Sequence, residues 1–256
     1  MSTPLRILLS NDDGILAKGL QVLEAAAESL GELYVVAPDR EQSATSHSLT
    51  LHHPLRPVQL GERRWQVDGT PTDCVMVACA ALLPGRPDFV LSGINHGSNM
   101  GEDVLYSGTV AAAMEGLVLG IPSIALSFAG SVLRADALIE TQTAAVTGLL
   151  QHLLTLPVFP AETLLNVNIP AVPSDQIKGI RLTRLGRRVF SDSLTRMKDP
   201  WGRDIIWLGG GSVQWTGPDD SDFRAVADGY ISVTPLHLDL THRDVLATAE
   251  EWWRTP

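Results

Sequence analysis

Cysteine is nearly absent from this sequence: Cys74 and Cys79 are its only two. They lie five apart in a segment expected to be helical, so their side chains leave different faces and cannot readily bridge. That excludes a disulfide framework and suits a reducing compartment. No stretch is apolar for long enough to span a bilayer. Met1–Ser10 carries only a short apolar run before Asp12 and Asp13, unlike a signal peptide. The expectation is a soluble, cytoplasmic protein with no membrane partner. Positive charge is scarce as well. The 19 Lys and Arg face 29 Asp and Glu, a formal net charge of -10. A nucleic-acid polymer calls for a basic face, so none is expected as partner. A small anionic substrate stays compatible, because a bound cation reverses the local field. Internal repeats and low-complexity tracts are absent too.

Core-forming material is plentiful. Hydrophobic residues make up 45% of the 256 and charged residues 19%, enough for one large α/β unit or one with an appended arm. Leu5–Leu9 reads as a buried strand running into the polar Ser-Asn-Asp-Asp-Gly. Leu20, Leu23, Ala27 and Leu30 recur at helical spacing with Gly31 as a stop, and Leu33–Ala37 is a second strand. Strand, helix, strand predicts a parallel βαβ unit. Thr70-Pro71-Thr72-Asp73 reads as an N-cap, a first-turn proline and a first-turn acid, opening a helix to about Leu83. Phe89–Ser92 is a third strand leading into a long Gly/Asn loop, Gly93–Gly108. Then come a helix over Thr109–Leu119, a strand over Ser123–Ser127, a helix over Ala135–Thr155 and a strand over Leu164–Ile169. After Pro173 the pattern changes to short mixed runs, read as β-hairpin arms over Ile180–Trp215 within a region of about 180–235. Tyr230–Pro235 reads as a strand and Thr241–Trp253 as a closing helix, with Trp252-Trp253 in core or subunit contact. The expected class is α/β: a Rossmann-like, mostly parallel sheet flanked by helices, with C-terminal β-hairpin arms, in a single unit over 1–256.

Three polar segments each follow an expected parallel strand: Asn11–Gly14, Asp39–Ser48 and Gly93–Gly108. In open α/β sheets, ligands bind beyond the carboxyl ends of the strands, so these segments should meet at one edge. Asp12 and Asp13 are the sharpest pair. Two carboxylates about 4 Å apart repel by about 4 kcal/mol at an effective dielectric near 20, and a divalent cation would remove that cost. Ser43, Ser46, Asn95 and Asn99 offer further oxygen donors. An all-oxygen set favours Mg²⁺ or Mn²⁺, with Ca²⁺ a third candidate, over zinc. The competing reading is that Asp12-Asp13-Gly14 merely turns the chain and caps a helix.

Ser107-Gly108-Thr109 opens a helix and forms a ready anion site. The helix dipole is worth about 0.3–1 kcal/mol, enough to orient a phosphate but not to drive its cleavage. An ordinary cap with glycine for close packing is equally compatible. Asn11 and Asn99 join Ser107, Gly108 and Thr109 as candidate phosphate-binding residues, and Asn99 joins Asp12 and Asp13 as candidate catalytic residues. His47 and His96 fall in the same loops and could give a proton to a leaving oxygen, although plain loop histidines are commoner. Arg187, Arg188 and Arg196 form a solvated face or approach a substrate from an arm.

At this point the motifs resemble those of a known family, the SurE survival proteins. The resemblance runs through Ile7–Ile15, Val36–Ala44, Ser92–Gly101, Tyr106–Val110, Asn166–Pro170 and Gly229–Pro235, essentially the whole chain. It implies a metal-dependent nucleotidase that hydrolyses nucleoside 5′- and 3′-monophosphates, and in some members short polyphosphate. It implies one divalent cation per subunit held by Asp12, Asp13, Ser43 and Asn95. It also implies a homodimer or homotetramer with exchanged C-terminal arms. One departure is Ser98, where many members have proline; it touches no ligand position. A receiver domain fits less well, because Ser92-Gly93-Ile94-Asn95 offers no phosphoaccepting aspartate. A haloacid-dehalogenase phosphatase needs Asp-x-Asp, and here the acids are adjacent. A dinucleotide-binding oxidoreductase needs a Gly-x-Gly-x-x-Gly that the first strand does not lead into. A non-enzymatic metal-binding module remains open on spacing alone.

Overall fold

The computed structural model describes residues 4–130, 139–156, 158–190, 194–208, 213–249 and 252. Its frame begins as the periodicity predicts: β1 (Leu5–Ser10), α1 (Lys18–Ala27) and β2 (Gly31–Pro38). β1 pairs in parallel with β2 on one side and with β5 (Phe89–His96) on the other. Its residues are buried on both faces. Ile7 and Leu9 pack into the cluster that holds Leu20 and Leu23 of α1, whereas Leu8 packs with Val75 and Ala112 on the opposite face. A run without polar alternation therefore lies between two helical layers. Gly31, expected as a helix stop, begins β2 instead.

The largest sheet among the described residues has the order β3-β4-β2-β1-β5-β6-β7-β13-β8. Here β3 is Pro57–Gly61, β4 Arg64–Val67, β6 Ser123–Ala129, β7 Leu164–Pro170, β8 Ile180–Leu182 and β13 Ile231–Leu236. The run from β4 to β7 is parallel. Successive strands build outward in opposite directions from β1 and β5. The switch point, where a ligand crevice opens, therefore lies at the carboxyl ends of these two strands. α2 (Pro71–Val77) starts as expected: Asp73 N–H donates to Thr70 Oγ1 at 3.1 Å, and Thr70 N–H donates to Asp73 Oδ2 at 2.9 Å. A π-turn, Ala78–Leu82, carries it to the expected end. α3 (Gly108–Val118) and α4 (Thr143–Leu154) complete the flanking layers.

Several boundaries move. β5 does not stop at Ser92. Its pairing with β6 shifts between Ser92 and Asn95, and it continues to His96. Gly93 allows this with φ +135°, at a place where a Cβ would meet Leu126 O at 2.3 Å. The supposed loop beyond is partly a 3-10 turn, Gly101–Leu105. Of the helix expected from Ala135, residues 135–138 lie outside the described residues, a 3-10 turn covers Glu140–Gln142, and α4 follows. The hairpin β3–β4 was not expected.

The arm region is mixed. β8 joins the main sheet, parallel to β13, and β13 runs antiparallel to β7. β9 (Arg187–Phe190) pairs with β12 (Val213–Thr216), and between them in sequence β10 (Leu194–Lys198) pairs with β11 (Asp204–Leu208), both antiparallel. An unexpected short helix, α5 (Asp222–Ala227), precedes β13. Of the closing helix, the described residues show α6 (Arg243–Thr248), and 250, 251 and 253 lie outside them. Trp252 is exposed rather than core, and Trp253 lies outside the described residues.

Candidate functional site

The three loops do converge. A cavity of about 720 Å³ opens at the switch point, with Asp12 and Asp13 from beyond β1, Ser43 from beyond β2, Asn95 and Asn99 from the end of β5 and beyond, and Ser107 from the start of α3 in its wall. These residues come together because each parallel strand ends at the same edge of the sheet.

Asp12 is almost wholly buried. The Thr109 hydroxyl, itself fully buried, donates to its Oδ1. Burial raises the Asp12 pKa to about 6; the Thr109 hydroxyl opposes that rise and the neighbouring Asp13 charge adds to it. The Asp13 pKa is also raised, first by burial and then by Glu41, while His96 holds it down. The His96 backbone N–H lies 3.4 Å from Asp13 Oδ2. Gly108 permits the close approach of α3 to Asp12: a Cβ there would meet Asp12 Cβ at 2.7 Å.

The donor set suits a hard divalent cation. Among the described residues, no group of three or more His, Cys, Asp or Glu could hold a metal. Any cation in this cavity therefore depends on the two carboxylates and on neutral oxygens, the chemistry of Mg²⁺, Mn²⁺ or Ca²⁺. The Asn95 amide N–H donates to Gly97 O at 3.0 Å, leaving Oδ1 as an acceptor. The Ser43 hydroxyl donates to Glu41 Oε1 at 2.6 Å, leaving its lone pairs.

The remaining candidates divide. Ser107 caps α3 by accepting from Val110 N–H at 3.1 Å, so its own O–H is available to a ligand. Asn99 is held on several sides. Its backbone N–H donates to Asn168 Oδ1 at 2.9 Å, its carbonyl accepts from the amides of Asn166 and Asn168, and its Nδ2 donates to Ser127 Oγ at 2.8 Å. Asn11 is fully buried beneath the turn, donating to Gly14 O at 2.9 Å, and lies outside the cavity wall. His96 lines the cavity, whereas His47 turns to Glu115 of α3 at 2.8 Å. Ser46 is absent from the wall; its N–H donates to Tyr106 O at 3.2 Å.

Of the three arginines that the sequence leaves open between a solvated face and an approach from an arm, one forms the far wall. Arg188 of β9 reaches the cavity and forms an ion pair with Asp103, and its N–H donates to Glu102 Oε2 at 2.7 Å. Neither Arg187 nor Arg196 is in the wall. Tyr106, exposed, and Glu41 also line it. Sequence reasoning missed Tyr106 and Glu41 as wall residues; for Tyr106 the available signal was that it directly precedes the helix cap.

Residues 7–192 match the family model described as Survival protein SurE. A protein of Gemmatimonas aurantiaca named 5'-nucleotidase SurE is 83% identical over 252 residues, 98% of this chain and 100% of that one. A Vibrio cholerae protein of the same name is 50% identical over 250 residues, 97% of each chain. The solved SurE protein from Aquifex aeolicus is 41% identical, with a TM-score of 0.84 over 96% of this chain and 99% of that chain.

Proposed function

Because this chain belongs to the SurE survival protein family, we propose that it is a 5′-nucleotidase, a phosphoric monoester hydrolase releasing nucleoside and phosphate from nucleoside monophosphates. The observation that carries the reading is the pair formed by buried Asp12 and half-buried Asp13, set in the cavity wall beside the amino end of α3. One divalent cation, Mg²⁺ or Mn²⁺, is assigned to Asp12, Asp13, Ser43 and Asn95. Bound there, it would supply Lewis-acid polarisation of the phosphate and a lowered pKa for a water nucleophile.

The chain's own residues do the rest. The Ser107 hydroxyl, at the amino end of α3, takes a non-bridging phosphate oxygen. Thr109 acts through Asp12, to which its hydroxyl is donated, holding the carboxylate oriented and ionised. Asn99, fixed from both sides by Asn166, Asn168 and Ser127, lies where charge builds in the transition state. Arg188 adds a cation to a wall otherwise rich in acids. The same proposal includes activity on 3′-monophosphates and short polyphosphate, a cytoplasmic location, and a homodimer or homotetramer built through the arms. Among the described residues, no helix is long and apolar enough to cross a membrane.

The test is phosphate release from a panel of nucleoside monophosphates and polyphosphate with Mg²⁺ or Mn²⁺, before and after chelator. Release should stop in chelator, and Asp13→Asn should abolish it with the fold intact. Undiminished release in chelator would sink the metal assignment. No release from any nucleotide would sink the substrate.

A further inference from the structure

The segment carrying Ser43 has no regular structure between the end of β2 at Pro38 and the start of β3 at Pro57. Ala44 and Ser46 hold φ values of 57° and 55°, which residues with a Cβ resist. The path of this segment is therefore imposed by contacts. Gln42 N–H donates to Asp12 O at 2.8 Å, and Ser46 N–H to Tyr106 O at 3.2 Å. Nearest Ser43 among the segment's side-chain ties to helices is His47 Nε2 to Glu115 Oε2 at 2.8 Å; further along, Thr70 Oγ1 donates to Ser48 O at 2.8 Å and Thr50 N–H donates to Asp73 Oδ1 at 3.0 Å.

Glu115 is only 6% exposed, deep in α3, the helix that Ser107 caps. A carboxyl group so buried needs a hydrogen-bond partner. That partner is the ring of a residue four positions beyond Ser43. Since Asp12 is bonded to Thr109 of the same helix, the pair refers the Ser43 segment to the element that also positions Asp12.

We propose that His47 and Glu115 are positioning residues, setting the Ser43 hydroxyl relative to Asp12 and the amino end of α3. The proposal rests on the reading of Ser43 as a cation ligand. It removes His47 from the list of proton donors, since its ring is committed away from the cavity.

The experiment titrates Mn²⁺ alone, by calorimetry and without substrate, into metal-stripped wild type, His47→Ala, His47→Gln, Ser43→Ala and the double variant His47→Ala/Ser43→Ala. His47→Ala should weaken Mn²⁺ binding about tenfold, as for one lost hydrogen bond to a buried group. His47→Gln, whose amide still donates to Glu115, should recover most of that. In the Ser43→Ala background, His47→Ala should cost less than about twofold, because the group it positions is gone. Glu115→Gln, close in volume, replaces His47→Ala in the same cycle if truncation prevents folding. Wild-type Mn²⁺ affinity in His47→Ala overturns the proposal. So does an undiminished His47→Ala penalty in a Ser43→Ala background that itself binds Mn²⁺ weakly, and that outcome leaves the ligand reading standing. Ser43→Ala binding Mn²⁺ as tightly as wild type overturns the ligand reading and the positioning role together.

Discussion

Asp12 shows how one carboxylate can oppose the fold that makes it useful. Its folded pKa is about 6, against an ordinary value of 3.8. An acid whose pKa is raised by folding favours the native state only while protonated. Its penalty is absent below about pH 4, grows as pH rises towards 6, and is fully present above that. The shift corresponds to roughly 3 kcal/mol. Urea unfolding in chelator should therefore show Asp12→Asn gaining stability relative to wild type between pH 4 and pH 7.5, by up to that amount; a gap that does not change with pH would contradict the burial argument. A cation offsets the same penalty, so Mn²⁺ affinity should fall as pH drops below about 6. Thr109 works in the opposite direction. Thr109→Val removes a hydroxyl that favours the charged form, so Asp12 should hold its proton more tightly. The expected result is a loss of about tenfold in kcat/KM near neutral pH that shrinks at higher pH; a loss independent of pH would mean that Thr109 acts on the phosphate directly.

At the scale of elements, the closeness of α3 to the turn after β1 is decisive. Gly108→Ala would drive a Cβ to 2.7 Å from Asp12 Cβ and 3.2 Å from Pro71 Cγ. It should cost about 1–3 kcal/mol of stability by overpacking and, by displacing Asp12, about a hundredfold in kcat/KM. Activity within a fewfold of wild type would mean that α3 retreats freely. The same elements explain what was legible. β1, α1 and β2 could be read because Ile7, Leu8 and Leu9 are buried on both faces and α1 repeats its apolar positions. The start of α2 could be read because Thr70 and Asp73 satisfy each other locally. The β3–β4 hairpin could not, since every residue of β3 is exposed and the short Val58/Leu60 alternation marks no buried face. α5 could not either. Its first residue, Asp222, accepts from Gly101 N–H at 2.8 Å and Gly186 N–H at 2.9 Å, bonds between segments far apart in sequence. Those bonds also seat β9, so which of Arg187, Arg188 and Arg196 reaches the cavity wall is a tertiary fact that the sequence leaves open. Asp12, Asp13, Ser43, Ser46, Asn95 and Asn99 were legible as candidates because they follow strand ends, which sequence periodicity locates; the narrower set of Asp12, Asp13, Ser43 and Asn95 came from the family resemblance. The site's far wall comes from the arm.

For the whole molecule, the arm raises a question of partners. The β10–β11 pair is a two-stranded ribbon whose register puts Met197 opposite Ile205 and Thr195 opposite Trp207 on one face. Met197 is 51% exposed and Trp207 63%, and on the other face Leu194 and Ile206 are exposed as well. An isolated two-stranded hairpin is marginal in water, and this one leaves apolar side chains open on both faces. Such a ribbon gains stability by packing against another copy of the chain, and exchange of an arm between protomers is a low-cost route to a closed dimer. A stable interface of this kind buries about 1,600 Å² in total, more than one ribbon can supply against a single flat surface, so the arm should be embraced rather than merely touched. Light scattering at micromolar concentration should give two or four times the chain mass. The double substitution Met197→Glu/Trp207→Glu, which charges one face of the ribbon and leaves the cavity untouched, should shift the population towards monomer while the central sheet keeps its far-ultraviolet spectrum. A wild-type monomer at that concentration, or an unchanged mass in the double variant, would overturn the assignment of the arm as the assembly element.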